Sequence, residues 1–295
     1  DFQTRNLIYV ESVDLDTDGD IDILWATTES IVWYKKNELN LFESHLISQV
    51  QGLIHSVLII DMDDDGDSDI FAVYNNDGGE TFSGSAVWFE NIGQTQFPHH
   101  VLFHYSEAIT DAIPGDADGD GDIDIIAVFT ADKTVGWYEN LGTDGFQSHI
   151  LMESVDWVGT IHSMDVDGDG DLDFVTSWSE IGNYYTNYLA WFENENENGF
   201  TIHFAEVFEE ADIYDPKNEI RSADIDGDGD QDIVTASRRL TWYENDGQEN
   251  FTAHGISWSG GAALELGDFD GDGDVDVLVH DTNRRKLKLY KNDGA

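Results

Sequence analysis

Asp165-Val166-Asp167-Gly168-Asp169-Gly170-Asp171-Leu172-Asp173 packs five carboxylates into nine residues, and the run from Leu172 to Trp178 that grows out of it is β-branched and roughly alternating. Alternation with Val and Thr enrichment reads as a strand. The loop before it has the composition of a calcium site. Calcium takes about six to eight oxygen ligands at about 2.3–2.6 Å, with carboxylates supplying charge and glycine permitting the sharp turn. Positions 1, 3 and 5 are expected to point inward, position 7 to offer its backbone carbonyl, and Asp173 to close the shell. The helical calcium hand closes on a later acid carried by a helix. Here a strand follows, so the loop sits in a different frame. The competing reading is a solvated Asp-Gly hairpin turn. Repulsion among the clustered carboxylates argues for a cation. Magnesium gives up its waters reluctantly, so calcium is the expected ion.

The same loop begins at Asp14, Asp61, Asp116, Asp165, Asp224 and Asp268, at intervals of 47, 55, 49, 59 and 44 residues. A period of that length is one four-stranded propeller blade. Each loop is followed by a strand, as in Ile21 to Trp25, Ile123 to Phe129 and Val275 to Val279. A second signature comes next: Trp33-Tyr34, Trp88-Phe89-Glu90-Asn91, Trp137-Tyr138-Glu139-Asn140, Trp191-Phe192-Glu193-Asn194 and Trp242-Tyr243-Glu244-Asn245. The sixth copy departs, with Leu289-Tyr290-Lys291-Asn292. A third, Phe-x-x-His, pairs Phe42 with His45, Phe97 with His100, Phe146 with His149, Phe200 with His203 and Phe251 with His254. The expected fold is therefore all-β: a single six-bladed β-propeller domain over residues 1–295. Phe2-Gln3-Thr4-Arg5 fits the fourth-strand pattern, and the chain stops just after a third strand. The N-terminal strand is thus expected to complete the last blade and close the ring, which hides both sheet edges.

Candidate metal ligands are the five aspartates of each loop: Asp14, Asp16, Asp18, Asp20 and Asp22; Asp61, Asp63, Asp65, Asp67 and Asp69; Asp116, Asp118, Asp120, Asp122 and Asp124; Asp165, Asp167, Asp169, Asp171 and Asp173; Asp224, Asp226, Asp228, Asp230 and Asp232; Asp268, Asp270, Asp272, Asp274 and Asp276. One calcium per loop makes about six per chain.

With these loops the sequence resembles the FG-GAP/VCBS repeat family, whose calcium loops also occur in integrin α-subunit propellers and in some fungal lectins. The resemblance covers essentially the whole chain. All six loops keep Asp at positions 1, 3, 5 and 9 and Gly at position 6, while Thr17 and Asp64 depart at position 4 and Ser68 at position 8. Many relatives close with seven blades, and this chain shows six repeats. Membership implies calcium and a propeller. It leaves the ligand open, because relatives include adhesion subunits, lectins and appendages to polysaccharide-degrading enzymes.

Composition narrows the partners. The formal charge is −49, yet 40% of residues are hydrophobic, with 9 Trp, 16 Phe and 11 Tyr, so a packed core is expected despite the acidity. Such a field repels nucleic acid and anionic lipid. No apolar stretch approaches the roughly 18 residues of a membrane span, so no membrane insertion is expected. Cysteine is absent, which excludes thiol chemistry. The start, without Met or an apolar leader, reads as a mature or excised product. Loops of this type usually hold calcium at extracellular levels, so a secreted or cell-surface location follows.

Recognition is expected at the end of the blades away from the calcium loops, where connections vary. Two connections look long, Asn75 to Ser85 and Ser179 to Tyr188. Trp157, Tyr184, Tyr185, Tyr188, Tyr214 and Trp258 are the candidate ligand-binding residues, because aromatics beside carboxylates suit a sugar ring. Packing between blades is the competing role for them. The expected function is a glycan- or protein-binding adhesion module without catalysis of its own. A structural subunit of an extracellular assembly, homo-oligomeric or larger, is one alternative. A polysaccharide lyase using His55, His162, Arg221 and Glu265 of the first strands is the other.

Overall fold

Pairs of facing sheets are what the apolar residues of this chain build. A computed structural model describes residues 7–50, 52–76, 83–93, 95–106, 108–129, 131–155, 157–181, 185–196, 199–210, 219–258, 261–281 and 284–294. Nearly all of the regular structure among them is strand, with one short 3-10 turn at Gly142–Asp144. Six antiparallel sheets follow one another along the chain, within 7–49, 53–105, 111–153, 157–210, 219–257 and 261–290. In each, consecutive strands are neighbours, the up-and-down order of a propeller blade. The fold is a six-bladed β-propeller. The fourth blade shows the plan: Trp157–Met164, Asp173–Ile181, Tyr185–Asn194 and Phe200–Glu210, with the acidic loop joining the first strand to the second. The sixth sheet has three strands among the described residues. The strand expected to complete it lies at residues 1–6, outside the described residues.

By contact the chain divides into two compact units, residues 1–114 with 121–150, and residues 115–120 with 151–295. In the first unit, Leu15, Leu24, Ile31 and Trp33 of the first blade pack on Ile54, Val57, Ile70 and Val87 of the second. Met62, Phe71 and Val73 of the second blade in turn meet Ile125, Ala127 and Phe129 of the third. In the second unit, Val175, Leu189 and Trp191 pack on Ile220, Ile233 and Tyr243, and Val234 and Leu240 on Leu264, Val277 and Val279. Within each unit the core thus lies between consecutive blades. In the third blade the second strand, Asp124–Phe129, is buried at every position and is apolar throughout after its first residue.

One loop expectation needs correction. Ser179 to Tyr188 is not a long loop, because most of it is strand: Ser179 pairs with Asn187, Glu180 with Thr186 and Ile181 with Tyr185. Aromatic and β-branched residues fit a pleated surface, and Tyr188 stacks on Trp178 at 4.8 Å, so pairing continues to the tip. In the second blade, pairing likewise reaches Asn76 and Ser83, and residues 77–82 are outside the described residues.

Candidate metal centres and the opposite blade ends

Each acidic loop is wound by its own carboxylates. Asp165 accepts the N–H groups of Gly168 at 2.8 Å and Gly170 at 3.1 Å, and Asp224 does the same for Gly227 and Gly229 at 2.7 and 3.1 Å. Asp167 accepts Asp169 N–H at 3.1 Å and Asp169 accepts Asp171 N–H at 2.9 Å. Such turns need left-handed backbone. Position 6 is glycine throughout, for example Gly170 at φ 96°. Position 4 is left-handed too. Gly168 has φ 76°, and where glycine is missing Thr17 and Asp64 adopt φ 57° and 56°. In the third loop Asp116 accepts Gly119 N–H at 2.9 Å and Asp118 accepts Asp120 N–H at 3.2 Å. The sixth repeats the pattern, Asp268 accepting Gly271 at 2.6 Å and Gly273 at 3.1 Å.

The ninth residue has a role that spacing does not reveal. Asp173, 1% exposed, accepts Val166 N–H on one oxygen and Asn194 N–H on the other, both at 2.8 Å. Asp232 does the same for Ile225 and Asn245, at 3.0 and 2.8 Å. Asp69 binds Met62 and Asn91 N–H at 3.0 and 2.6 Å, and Asp22 also takes the Trp33 Nε1–H at 2.8 Å. This aspartate therefore ties the loop to the third strand. In the second, fifth and sixth blades the signature asparagine then reaches the preceding blade. Asn91 Nδ2 donates to the Leu15 carbonyl at 2.6 Å, Asn245 to Val166 at 2.8 Å and Asn292 to Ile225 at 2.6 Å. Each acceptor is position 2 of the preceding acidic loop, so loop and blade interface are one construction.

The donor set fits a hard cation. One carboxylate oxygen from each of Asp61, Asp63 and Asp69 lies within 4.8 Å of the others, as for Asp165, Asp167 and Asp173, Asp14, Asp16 and Asp18, and Asp224, Asp226 and Asp228. Oxygens that share one ion at about 2.3–2.6 Å lie within about 5 Å of each other. In the first loop Asp16 Oδ1 is buried without a hydrogen-bond partner. Burial first, then the neighbouring carboxylates, raises the pKa of Asp63, Asp167 and Asp226, with Glu90, Glu193 and Glu244 adding to it. Burial pushes Asp173 up to about 7 against the bound N–H groups. In each case the charged form is disfavoured, and a cation among these oxygens would favour it. Three position-7 carboxylates turn towards the turn after the third strand of their own blade. Asp171 accepts a bond from the Asn196 side chain, and Asp230 and Asp274 crowd the turn glycines Gly247 and Gly294, where a Cβ would collide.

An FG-GAP-like repeat model matches residues 14–72, 61–127, 116–176 and 224–279. The chain belongs to the FG-GAP-like repeat family. No curated protein is significantly similar to this FG-GAP-like chain in sequence. Among solved structures it is similar to an Agrocybe aegerita lectin that recognises non-reducing terminal N-acetylglucosamine, with TM-score 0.61, 17% identity, 98% of this chain and 81% of that one covered. It is also similar to BBS1N, solved in complex with ARL6DN, with TM-score 0.52, 10% identity, 97% of this chain and 93% of that one covered. At such identities the likeness is one of fold.

Four blades of this FG-GAP-like propeller share a relay on the third and fourth strands. His100, His149, His203 and His254 bind Glu90, Glu139, Glu193 and Glu244 through Nε2 at 2.6–2.7 Å. Each ring lies over the blade's tryptophan at 4.5–4.6 Å between centroids. The first and sixth blades carry lysine at the glutamate position. Lys35 pairs with Asp16 and, at 3.1 Å, with Asp18; Lys36 binds Asp20 at 2.7 Å; Lys291 pairs with Asp270. Sequence reading passed over Lys35 and Lys36. The exchange of Glu for Lys within an otherwise constant signature was the available signal.

At the ends away from the loops, Trp258 is 82% exposed, and the Arg239 guanidinium lies 4.4 Å from its ring centroid. Tyr188 packs instead: it stacks on Trp178, and its hydroxyl donates to Glu180 at 3.2 Å. Trp157 pairs with Ser179 and Tyr185 with Ile181 as strand residues. Tyr184 and Tyr214 lie outside the described residues. On the first strands of the second unit, His162 Nε2 meets Ser222 Oγ at 3.0 Å, and Arg221 pairs with Glu219 at 3.4 Å and Glu265 at 3.8 Å. Burial, helped by Arg221, pulls His162 down to about 4, so its imidazole is neutral at pH 7. His55 sits on the first strand of the second blade, Leu53–Ile60.

Proposed function

We propose that this propeller is a secreted or cell-surface module, stabilised by calcium in its acidic loops, that binds a glycan and performs no chemistry of its own. The observation that carries the recognition half is Trp258. An indole 82% exposed and backed by the Arg239 guanidinium is a flat platform with hydrogen-bond donors at its edge. A pyranose ring stacks on such a face and bonds at its rim. The fold likeness to a lectin that recognises terminal N-acetylglucosamine supports the same ligand class. The calcium half rests on the carboxylate clusters, whose spacing and charge fit a hard cation.

The first-strand polar residues favour binding over catalysis. Arg221 is shared between Glu219 and Glu265, and His162 faces Ser222, so each is engaged within the protein. A glycan array probed with and without calcium tests the reading, with terminal N-acetylglucosamine as the first ligand to titrate. Trp258→Ala should weaken binding by about 1–3 kcal/mol, as for exposed aromatic anchors, and leave the melting temperature nearly unchanged. No glycan retained on the array, together with a concentration-dependent oligomer in sedimentation, would replace the lectin reading with the structural-subunit one.

A further inference from the structure

We infer that the six acidic loops are of two kinds: those of blades two to five take calcium tightly, whereas in blades one and six a built-in lysine ammonium, Lys35 or Lys291, competes for the carboxylates and makes calcium binding weaker. The inference rests on the calcium reading above and concerns how the sites differ.

The exchange occurs at one structural position. The residue after the signature aromatic is Glu90, Glu139, Glu193 and Glu244 in blades two to five, and Lys35 and Lys291 in blades one and six. The backbone places the two kinds alike. In every blade the next residue donates its N–H to the ninth aspartate, from Asn91 to Asp69, Asn194 to Asp173 and Asn245 to Asp232, and equally from Lys36 to Asp22 and Asn292 to Asp276. From that position the glutamate carboxylate adds negative charge beside the loop, and its histidine holds it there. The lysine does the reverse. Lys35 reaches Asp16 and Asp18, the third and fifth positions, and Lys291 reaches Asp270, the third. These are the carboxylates that a cation would need.

Calcium affinity follows the charge of the ligand set, and a lysine in place of a glutamate removes one negative charge beside the loop and adds one positive charge. An ammonium and a calcium ion cannot occupy one cage, so binding in blades one and six must first displace the lysine into solvent. Lys291 is exposed and Lys35 partly so, which allows that displacement, so these loops fill late instead of never.

Equilibrium dialysis of the whole chain against buffered free calcium, with bound metal counted by atomic emission, tests this. The wild-type isotherm should rise to about four ions per chain and gain the last two only at roughly 10-fold higher free calcium or more. Lys35→Met with Lys291→Met should move that second phase to about 10-fold lower calcium without altering the first. Lys35→Glu with Lys291→Glu should move it further, and circular dichroism at saturating calcium confirms that each variant is folded. A single wild-type phase of six equal ions, or a second phase that neither pair of variants moves, overturns the inference while leaving calcium in place. No calcium bound by any variant at millimolar concentration overturns both readings.

Discussion

The two ends of each blade are built on opposite logics. At the loop end the same bonds recur from copy to copy: the first aspartate winds the turn and the ninth anchors it to the third strand, and in three blades an asparagine reaches the neighbouring blade. At the other end each blade is different. The fourth runs on as a long hairpin stiffened by Trp178 and Tyr188, while the fifth presents Trp258 over Arg239. Repetition is what a structural element needs, and a one-sided difference is what recognition needs. The loop end should therefore govern stability and the far end binding.

The strongest way to break that contrast is to remove the cation. Roughly thirty carboxylates in six loops are mutually repulsive without one, and metal binding free energy is part of folding free energy here. Excess chelator should lower the melting temperature by tens of degrees, measured by calorimetry or circular dichroism. An unchanged melt would show that the hydrogen-bonded loops hold without metal.

A smaller effect separates two aspartates of one loop. Asp232→Ala leaves the buried N–H groups of Ile225 and Asn245 without an acceptor, at about 1–3 kcal/mol each. Asp230→Ala removes a carboxylate that faces the Gly247 turn, and should cost less than about 1 kcal/mol. Denaturant midpoints of the two variants in saturating calcium decide it. Equal losses would mean that the ninth aspartate is only one more ligand.

That distinction also marks where sequence reading stops. Six loops, strand alternation and the Trp signature were enough to obtain the blades, because the repeat is local and each copy confirms the others. The candidate ligands came from the same nine-residue spacing. The ninth aspartate's bond to Asn194 joins residues 21 apart, and Lys35 meets Asp16 across two strands. Such partners depend on register, which spacing within one loop does not carry. The Ser179–Tyr188 stretch failed for a related reason: its aromatics look like a recognition loop until Tyr188 is seen stacked on Trp178 across the ladder.

The first-strand histidine gives a pH test of the second unit. Burial and Arg221 lower His162 to about 4, below its ordinary 6.5, so the folded state resists a proton that the unfolded chain accepts. The stability it contributes is complete above pH 6.5 and is lost as pH falls towards 4. Between pH 7.5 and 5 the wild type should lose about 2 kcal/mol more than His162→Gln, read from urea midpoints with calcium saturating. Parallel losses in the two proteins would mean that water reaches the imidazole freely.

The smallest effect sharpens the contrast from within the loop end. Repetition there extends to backbone angles, and position 4 is left-handed whether or not glycine occupies it. Thr17 at φ 57° is β-branched, and its Cβ crowds the following carbonyl in that conformation, at about 1–2 kcal/mol. Thr17→Gly relieves this strain but gives the unfolded chain about 0.5–1 kcal/mol more entropy to lose. The net should be a stabilisation of less than about 1 kcal/mol, the same with and without calcium, because the side chain is no ligand. Asp64 has φ 56°, but aspartate tolerates that region, so Asp64→Gly should change stability less in calcium. Gly168→Thr, the reverse exchange in the fourth loop, should cost about 1–2 kcal/mol. If Thr17→Gly destabilises as much as Gly168→Thr does, the first loop does not share the backbone of the fourth, and the six copies are less alike than their bonds make them.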